Sequence, residues 1–579
     1  MDAILVLLVG IVAIIIGYGF YAKTINTKIL QPDPAKATPA KMYMDGVDFT
    51  PANRNVLFGY QFKSIAALGP ILGPIVAVQW GWLPALLWIV FGTFFIGWVQ
   101  DYSSIIMGVR EEGQSFGALS YRLISPRSRL ILITFIYFYL LLIMGAFGLQ
   151  VGFVLLTNPA VPLGVLLVIL IGVVAGQMTY KWKVDILLTS VLTVILAFVG
   201  IWLGTQAGVM NFWRSLFGTT GGATSPTLFL EVTQARFIGT ILVLVICYLG
   251  AVLPIWRWAQ PINYVAFWIV FLGILGGIIG LLIWRPGMEG FPAFTTFTIG
   301  IGPLWPILFV TIACGAISGW HSLVSSSGTA RQLESEADAL YVGGGAMFLE
   351  MIFAIMAFLT ATVALGGMTG YVDAGGGGAA AAIFSTGLAA FMNQWGLDRI
   401  AGEGFGMAYG SVFLTLMALT IMYLVVRFMR VASAEALGDR FPIMRNIHVG
   451  SVIALLFTLA LIWLVPFLQI WVVFGAANQL MASLALLLVT LWLMSKGKKY
   501  IWVLIPFVFM FITTIAALLY KAYESFIINL PNTETWQAIS ANIIIGLISI
   551  VLVVLAVILA WDAYKAFRRF QETTAAQVA

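Results

Sequence analysis

Residues 314–329 place one of the chain's two histidines among small and hydroxyl side chains within an apolar run. Cys314, Ser318, His321, Ser325 and Gly328 follow one another at offsets of four, three, four and three, so they predict one shared helix face. A small, hydroxyl-lined face lets backbones approach closely, and packing alone would account for the serines. His321 asks for more. An imidazole titrates near neutral pH, which suits a proton carrier, and an ionisable group at bilayer depth is a functional candidate. Ser322, Ser325 and Ser326 offer oxygen ligands to sodium as the other coupling ion, and Ser318 offers a hydroxyl to a substrate. Two carboxylates lie in or beside other apolar runs. Glu350 is a coupling residue or a satisfied structural partner. Asp101 follows Gln100 and is either a coupling group or the partner of Arg110. Asp562 and Glu435 read as interface residues.

A second pattern concerns the backbone. Residues 66–77 read Ala-Ala-Leu-Gly-Pro-Ile-Leu-Gly-Pro-Ile-Val-Ala, with Gly69-Pro70 and Gly73-Pro74 four residues apart. Each proline removes an N–H and clashes with the preceding turn, at about 3 kcal/mol in a helix interior. Unpaired backbone survives in hydrocarbon only inside protein or beside a watery cavity, and broken helices at the midplane are how many secondary transporters build substrate and ion sites. A single proline would read as a packing kink. Two Gly-Pro pairs in one turn predict a break. Gly250 and Pro254 mark a second interruption, in the segment ending at Arg257.

The elements that must position these groups follow from composition. The 579 residues are 61% hydrophobic and 9% charged, too few charges to cover a soluble surface, where about 25% is usual. The chain is therefore an all-α, polytopic membrane protein. Runs of spanning length fall near 3–21, 64–80, 82–107, 129–156, 162–178, 184–205, 237–254, 262–284, 304–324, 343–367, 405–426, 447–465, 468–494, 500–520 and 540–563, fifteen in all. The Ala-rich piece 378–393 is too short to span and reads as re-entrant or interfacial. With the N-terminus outside, the alternate loops and their borders hold 24 of the 29 Lys and Arg. This is the positive-inside pattern and puts the C-terminus in the cytoplasm. The first run lacks a basic start and a clear cleavage site, and reads as a retained helix. The net charge of +6 is spread between spans and gives no nucleic-acid signal; the lipid bilayer is the expected partner. Cys247 and Cys314 both lie in apolar segments, so neither a disulfide nor a Cys-based metal site is expected, and nothing calls for a cofactor.

By that topology the second and seventh spans, both Pro-interrupted, are five apart and oppositely oriented, which predicts a five-plus-five inverted repeat. The expected organisation is an N-terminal extra helix (1–22), a cytoplasmic interfacial linker (23–63), a first repeat (64–205) and a second repeat (237–426). Additional helices (447–564) and a cytoplasmic tail (565–579) follow.

Asp45-Gly46-Val47-Asp48-Phe49, Val56-Leu57-Phe58-Gly59, the Gly-Pro pairs, Gln100-Asp101 and Arg110…Gly113-Gln114-Ser115 resemble the first signature of the carbon starvation protein A family. Residues 315–321 with Ser327-Gly328-Thr329, Glu336-Ala337-Asp338-Ala339 and Gly345-Ala346-Met347…Glu350 resemble its second, and the resemblance covers roughly 43–365. Where many members carry two histidines after Leu-Phe-Gly, this chain has Tyr60-Gln61. The resemblance implies a bacterial inner-membrane secondary transporter that takes up peptides or pyruvate in carbon starvation. It also implies a LeuT-like core whose first and sixth helices are broken around substrate. Substrate would then meet Gly69, Pro70, Gly73, Pro74, Gly250, Pro254 and Ser318. The coupling ion, H+ or Na+, would meet His321, Ser322, Ser325, Ser326, Glu350 and Asp101. A passive channel for organic anions is a rival reading. A membrane enzyme with His321 as base beside Ser325 is another, but no neighbouring carboxylate in the local sequence orients the ring and no strained nucleophile turn is present.

Overall fold

A computed structural model of the chain describes residues 2–45, 49–254 and 257–578. Residues 46–48 of the first signature and 255–256 of the second interruption lie outside the described residues. The architecture is helical, with two two-residue or three-residue strand pairs in connecting loops. Among the described residues, thirteen helices are long and apolar enough to cross a membrane, and one bent pair makes a fourteenth.

The first span, α1 (Ala3–Leu30), runs well past the expected end at residue 21. The bent pair follows. Helix α2 (Arg54–Ile65) starts where the Asn53 side chain accepts from the Asn55 N–H, and the backbone leaves helical geometry at Ala66. Helix α3 (Gly69–Ala77) starts with Pro70 in its first turn, where a missing N–H costs nothing, and the pair bends by 42°. Residues 54–63, expected in a surface linker, are thus half of a broken helix, with Leu57 and Phe62 buried.

Next come α4 (Trp82–Arg110), the short α5 (Phe116–Leu123), α6 (Pro126–Leu155), α7 (Pro162–Lys181), α8 (Ile186–Gly204), α9 (Gln234–Val252) and α10 (Ala259–Trp284). Helix α9 is the expected seventh span, and it is continuous to Val252; Pro254 lies beyond its end. The second break falls instead in the expected ninth span. A short helical piece stops at Thr311, residues 312–318 are largely unwound, and helix α11 (Gly319–Ser327) resumes after an extended Ser318. Gly315 and Ser318 free the chain here without a proline, which is why the sequence pattern of Gly-Pro pairs does not reveal it.

Helices α12 (Glu336–Thr362), α13 (Ala380–Asn393), α14 (Phe405–Leu437), α15 (Ile447–Leu464), α16 (Phe467–Ser495), α17 (Ile501–Asn532) and α18 (Trp536–Glu572) complete the chain. Helix α13 is the expected short segment; it is buried on α14, α10, α12 and α3. The sequence of broken helix, long helix, short helix and long helix occurs twice, over 54–155 and again over 304–437.

The two breaks cross. A Cβ on Gly69 would sit 2.3 Å from the Cys314 sulfur, and one on Gly73 2.7 Å from the Thr311 carbonyl oxygen. Only hydrogen fits at these contacts. Beyond the crossing, α3 packs on α12 and α11 packs on α4. The second half of each broken helix therefore rests on the long helix that follows the other break.

Candidate functional site

Helix α11 is nine residues long and carries His321 in its first turn. The ring lies between the two long helices. Its Nδ1 is 3.1 Å from Asp101 Oδ2 on α4, and its Nε2 is 3.3 Å from Glu350 Oε2 on α12, the latter without hydrogen-bond alignment. All three side chains have no exposed surface. The second Asp101 oxygen and both Glu350 oxygens find no hydrogen-bond partner among the described residues. The fold thus supplies two carboxylates to a ring that had none in its local sequence. Asp101 does not pair with Arg110, whose guanidinium instead forks onto Glu336, at 3.0 Å.

The serines divide among other partners. Gln100 Nε2 donates to the Ser318 carbonyl at 2.6 Å and to the Ser322 hydroxyl. Gln61 Nε2 donates to Ser325 Oγ at 2.9 Å, and Thr329 donates to the Gln61 carbonyl oxygen. Ser326 bonds its own helix, at the Ser322 carbonyl, 2.8 Å away. The expected single stripe from Cys314 to Gly328 is not one helix face, because Cys314 and Ser318 precede the helix start. Neither Ser322 nor Ser325 hydrogen-bonds His321 among the described residues, so a base–nucleophile pair is not assembled.

The unwound segment is satisfied by α16. Asn478 Oδ1 lies 3.0 Å from the Gly319 N–H, 3.3 Å from the Trp320 N–H and 3.1 Å from the Ser318 hydroxyl, capping α11; Tyr139 also donates to it, at 2.6 Å. Gln479 Nε2 donates to the Phe309 and Ile312 carbonyls at 2.8 and 3.1 Å, and Trp471 donates to Thr311. Every residue in the first half of the crossing, Gly69, Pro70, Gly73 and Pro74 included, is buried. Helix α3 has no side-chain cap. The Trp320 indole joins the two breaks by donating to the Ser64 carbonyl at 2.7 Å.

Gly250 and Pro254 are not brought to this site. Gly250 packs against Tyr423 and Trp258, and Arg427 on α14 donates to the Gly250 carbonyl at 3.0 Å and to that of Leu253, closing the end of α9. Pro254 ends a helix rather than breaking one. Asp562 and Glu435 pair with Arg127 and Arg129. Sequence reasoning missed Gln61, Lys63, Gln100, Asn478 and Gln479. An uncharged amide inside an apolar run was the signal available for Gln100, Asn478 and Gln479, since each buried amide needs partners; Gln61 and Lys63 fell in the expected linker.

The pyruvate/proton symporter BtsT of Escherichia coli (strain K12) is 27% identical, with 90% of this chain and 82% of that protein covered. The peptide transporter CstA of the same organism is 28% identical over the same shares, and that of Bacillus subtilis (strain 168) is 27% identical with 89% of each covered. Solved structures similar to the chain include MhsT in complex with L-phenylalanine, with TM-score 0.43, 13% identity and coverage of 89% of this chain and 99% of that one. A manganese transporter of Eremococcus coleocola has TM-score 0.46 and 12% identity, with 91% and 99% covered. The relatives are transporters by name, not enzymes. The model of one family, described as carbon starvation protein CstA, matches residues 2–377 and 366–517, and the chain belongs to that family.

Proposed function

We propose that the chain is a proton-coupled importer of a small carboxylate nutrient, pyruvate or a short peptide. It sits in the inner membrane with its N-terminus outside and its C-terminus in the cytoplasm. The observation that carries this reading is the buried Asp101–His321–Glu350 cluster, which joins a half-helix of one break to both long helices. Its charge changes only when a proton arrives or leaves. Each such change alters the attraction between α11, α4 and α12, so protonation is tied to how these elements pack. The likeness to a pyruvate/proton symporter supports the proton over sodium. The engagement of Ser322 and Ser325 with Gln100 and Gln61, and of Ser326 with its own backbone, also speaks against a serine sodium site.

For the substrate, the two half-helix N-termini differ. That of α11 is occupied by Asn478, whereas that of α3 has no side-chain cap; Pro70 carries no N–H and the Ile71 and Leu72 N–H groups go to the Leu68 carbonyl, which leaves the Gly69 N–H for an anion. The substrate carboxylate is assigned to the start of α3, at Gly69 and Pro70, with Gly73, Pro74 and Ser318 behind it in the crossing.

One charge moved through about 100 mV supplies about 2.3 kcal/mol, near a fifty-fold accumulation at about 1.4 kcal/mol per decade. A monoanion carried with one proton moves no net charge, so the pH gradient drives it instead.

The test is uptake of labelled pyruvate and dialanine into proteoliposomes under imposed pH or sodium gradients. Accumulation should follow the pH gradient and collapse with an uncoupler. His321→Ala should abolish accumulation while exchange of internal for external substrate persists. Pyruvate flux that never exceeds equilibrium would mark a channel, and unchanged pH-driven uptake in the variant would remove His321 as the coupling group.

A further inference from the structure

The proton cluster leaves one buried charge unexplained. Lys63 lies in the last turn of α2, three residues before the break at Ala66, with 3% of its surface exposed. Its ammonium donates to the Thr420 hydroxyl on α14 at 2.9 Å, and that hydroxyl in turn donates to the Leu416 carbonyl at 2.7 Å. An ammonium has three N–H donors, and Thr420 accepts from one of them. Among the described residues Lys63 has no ion-pair partner. The chain's other buried lysine, Lys521, does have one, in Glu524. The carbonyl end of α2 favours a cation there, but a helix terminus carries only about half an elementary charge. A buried ion without a counter-ion is strongly disfavoured, and at membrane depth such a group is retained for a function.

We infer that the missing counter-ion is the cargo: Lys63 is the binding residue for the substrate's carboxylate, and it restricts the cargo to carboxylate anions. The inference rests on the transport reading above. Lys63 and the uncapped start of α3 flank the same break, and a carboxylate, with two oxygens, accepts from an ammonium and from the Gly69 N–H together. The cargo thus brings its own charge to neutralise a fixed one. An amide of the same shape leaves the ammonium unpaired and is rejected.

The experiment compares acid with amide in the full-length protein reconstituted in proteoliposomes. The pairs are pyruvate with pyruvamide and dialanine with its C-terminal amide, each measured by uptake and by competition. Wild type should bind the acids roughly 30-fold or more tightly than the amides, the loss that follows removal of one member of a buried charge pair. Lys63→Met should raise the KM for the acids by a similar factor and erase the preference, while Lys63→Arg keeps the preference. Transport of acid and amide alike by wild type overturns the role of Lys63 without touching the transport reading, and needs no variant to fold. A folded Lys63→Met protein with an unchanged KM for pyruvate overturns it too. A wild type that takes up neither acid overturns the transport reading, and this inference with it.

Discussion

His321 sits between carboxylates that are 220 and 29 positions away in the chain, and the two contacts are not equivalent. The Asp101 oxygen is aligned to accept from Nδ1–H, whereas Glu350 approaches Nε2 out of alignment. Asp101 therefore fixes the orientation of the ring and Glu350 is the freer acceptor. A ring held by one neighbour keeps the other nitrogen available for proton exchange, the arrangement by which a second group sets an imidazole's tautomer. Asp101→Asn keeps the volume but removes the charge. We expect it to retain substrate exchange, to lose pH-driven accumulation by at least about tenfold, and to shift the pH dependence of the remaining uptake. The measurement is initial uptake rate against internal and external pH in proteoliposomes. An unaltered profile would leave Asp101 as a packing group only. Gln61 shows the opposite use of a polar residue. It bridges Ser325 and Thr329 with an amide that cannot titrate. That position holds α2 against α11 in this chain and carries no proton.

Each half-helix is short, so its stability comes from what it is packed on and from how its ends are satisfied. Helix α11 gains its N-terminal partner from Asn478 and its place from α4, while α3 depends on the glycine crossing. A Cβ at position 69 would meet both the sulfur and the Cβ of Cys314, at 2.3 and 2.5 Å. Gly69→Ala is therefore expected to destabilise the crossing by about 1–3 kcal/mol, the usual cost of overpacking. Cys314→Gly, which deletes the atoms that collide, should restore most of the loss in the double variant. The check is thermal stability of all three variants in detergent, together with uptake. Destabilisation with no rescue would mean that the contact is not what the glycine protects. The space beside Gly69 is thus filled by Cys314, and any substrate contact at this residue comes through its own N–H.

At the scale of the whole molecule, α16, one of the helices expected as additional, lies inside the packing. Its spanning window is entirely buried, it satisfies the second break, and its C-terminal end reaches Glu111, between α4 and α5. Burial alone would push the Glu111 carboxyl up. The hydrogen bonds from Arg122, Trp492 and Lys496 together outweigh it and hold the group below its ordinary value of 4.5. A carboxyl held low in the folded state contributes stability that is fully present above its unfolded value and is lost as pH falls through the folded one. Acidification from pH 7 to below about 4 should therefore lower the midpoint of thermal unfolding. Glu111→Gln should flatten part of that slope and start from a lower midpoint at pH 7. An identical pH slope in the variant would show that the junction contributes nothing to the acid response.

Much of this was legible from the chain alone. Nine per cent charge against 61% hydrophobic residues required a bilayer, and Gly69-Pro70 signalled a break, because both follow from local composition and backbone sterics; the break falls at 66–68, just before that pair, while Gly73-Pro74 lies inside the continuous helix α3. His321, Asp101 and Glu350 were each visible as ionisable groups in or beside apolar runs. Their meeting was not, since three helices far apart in sequence must pack before the distances exist. The second break was placed at Pro254 because proline is the local signal for one. It occurs at 312–318, where no proline marks it and where the partners that make unwinding tolerable, Asn478 and Gln479, lie some 160 residues away. Backbone strain is written locally; the satisfaction of unpaired groups, and with it where a helix can open, is decided only by tertiary packing.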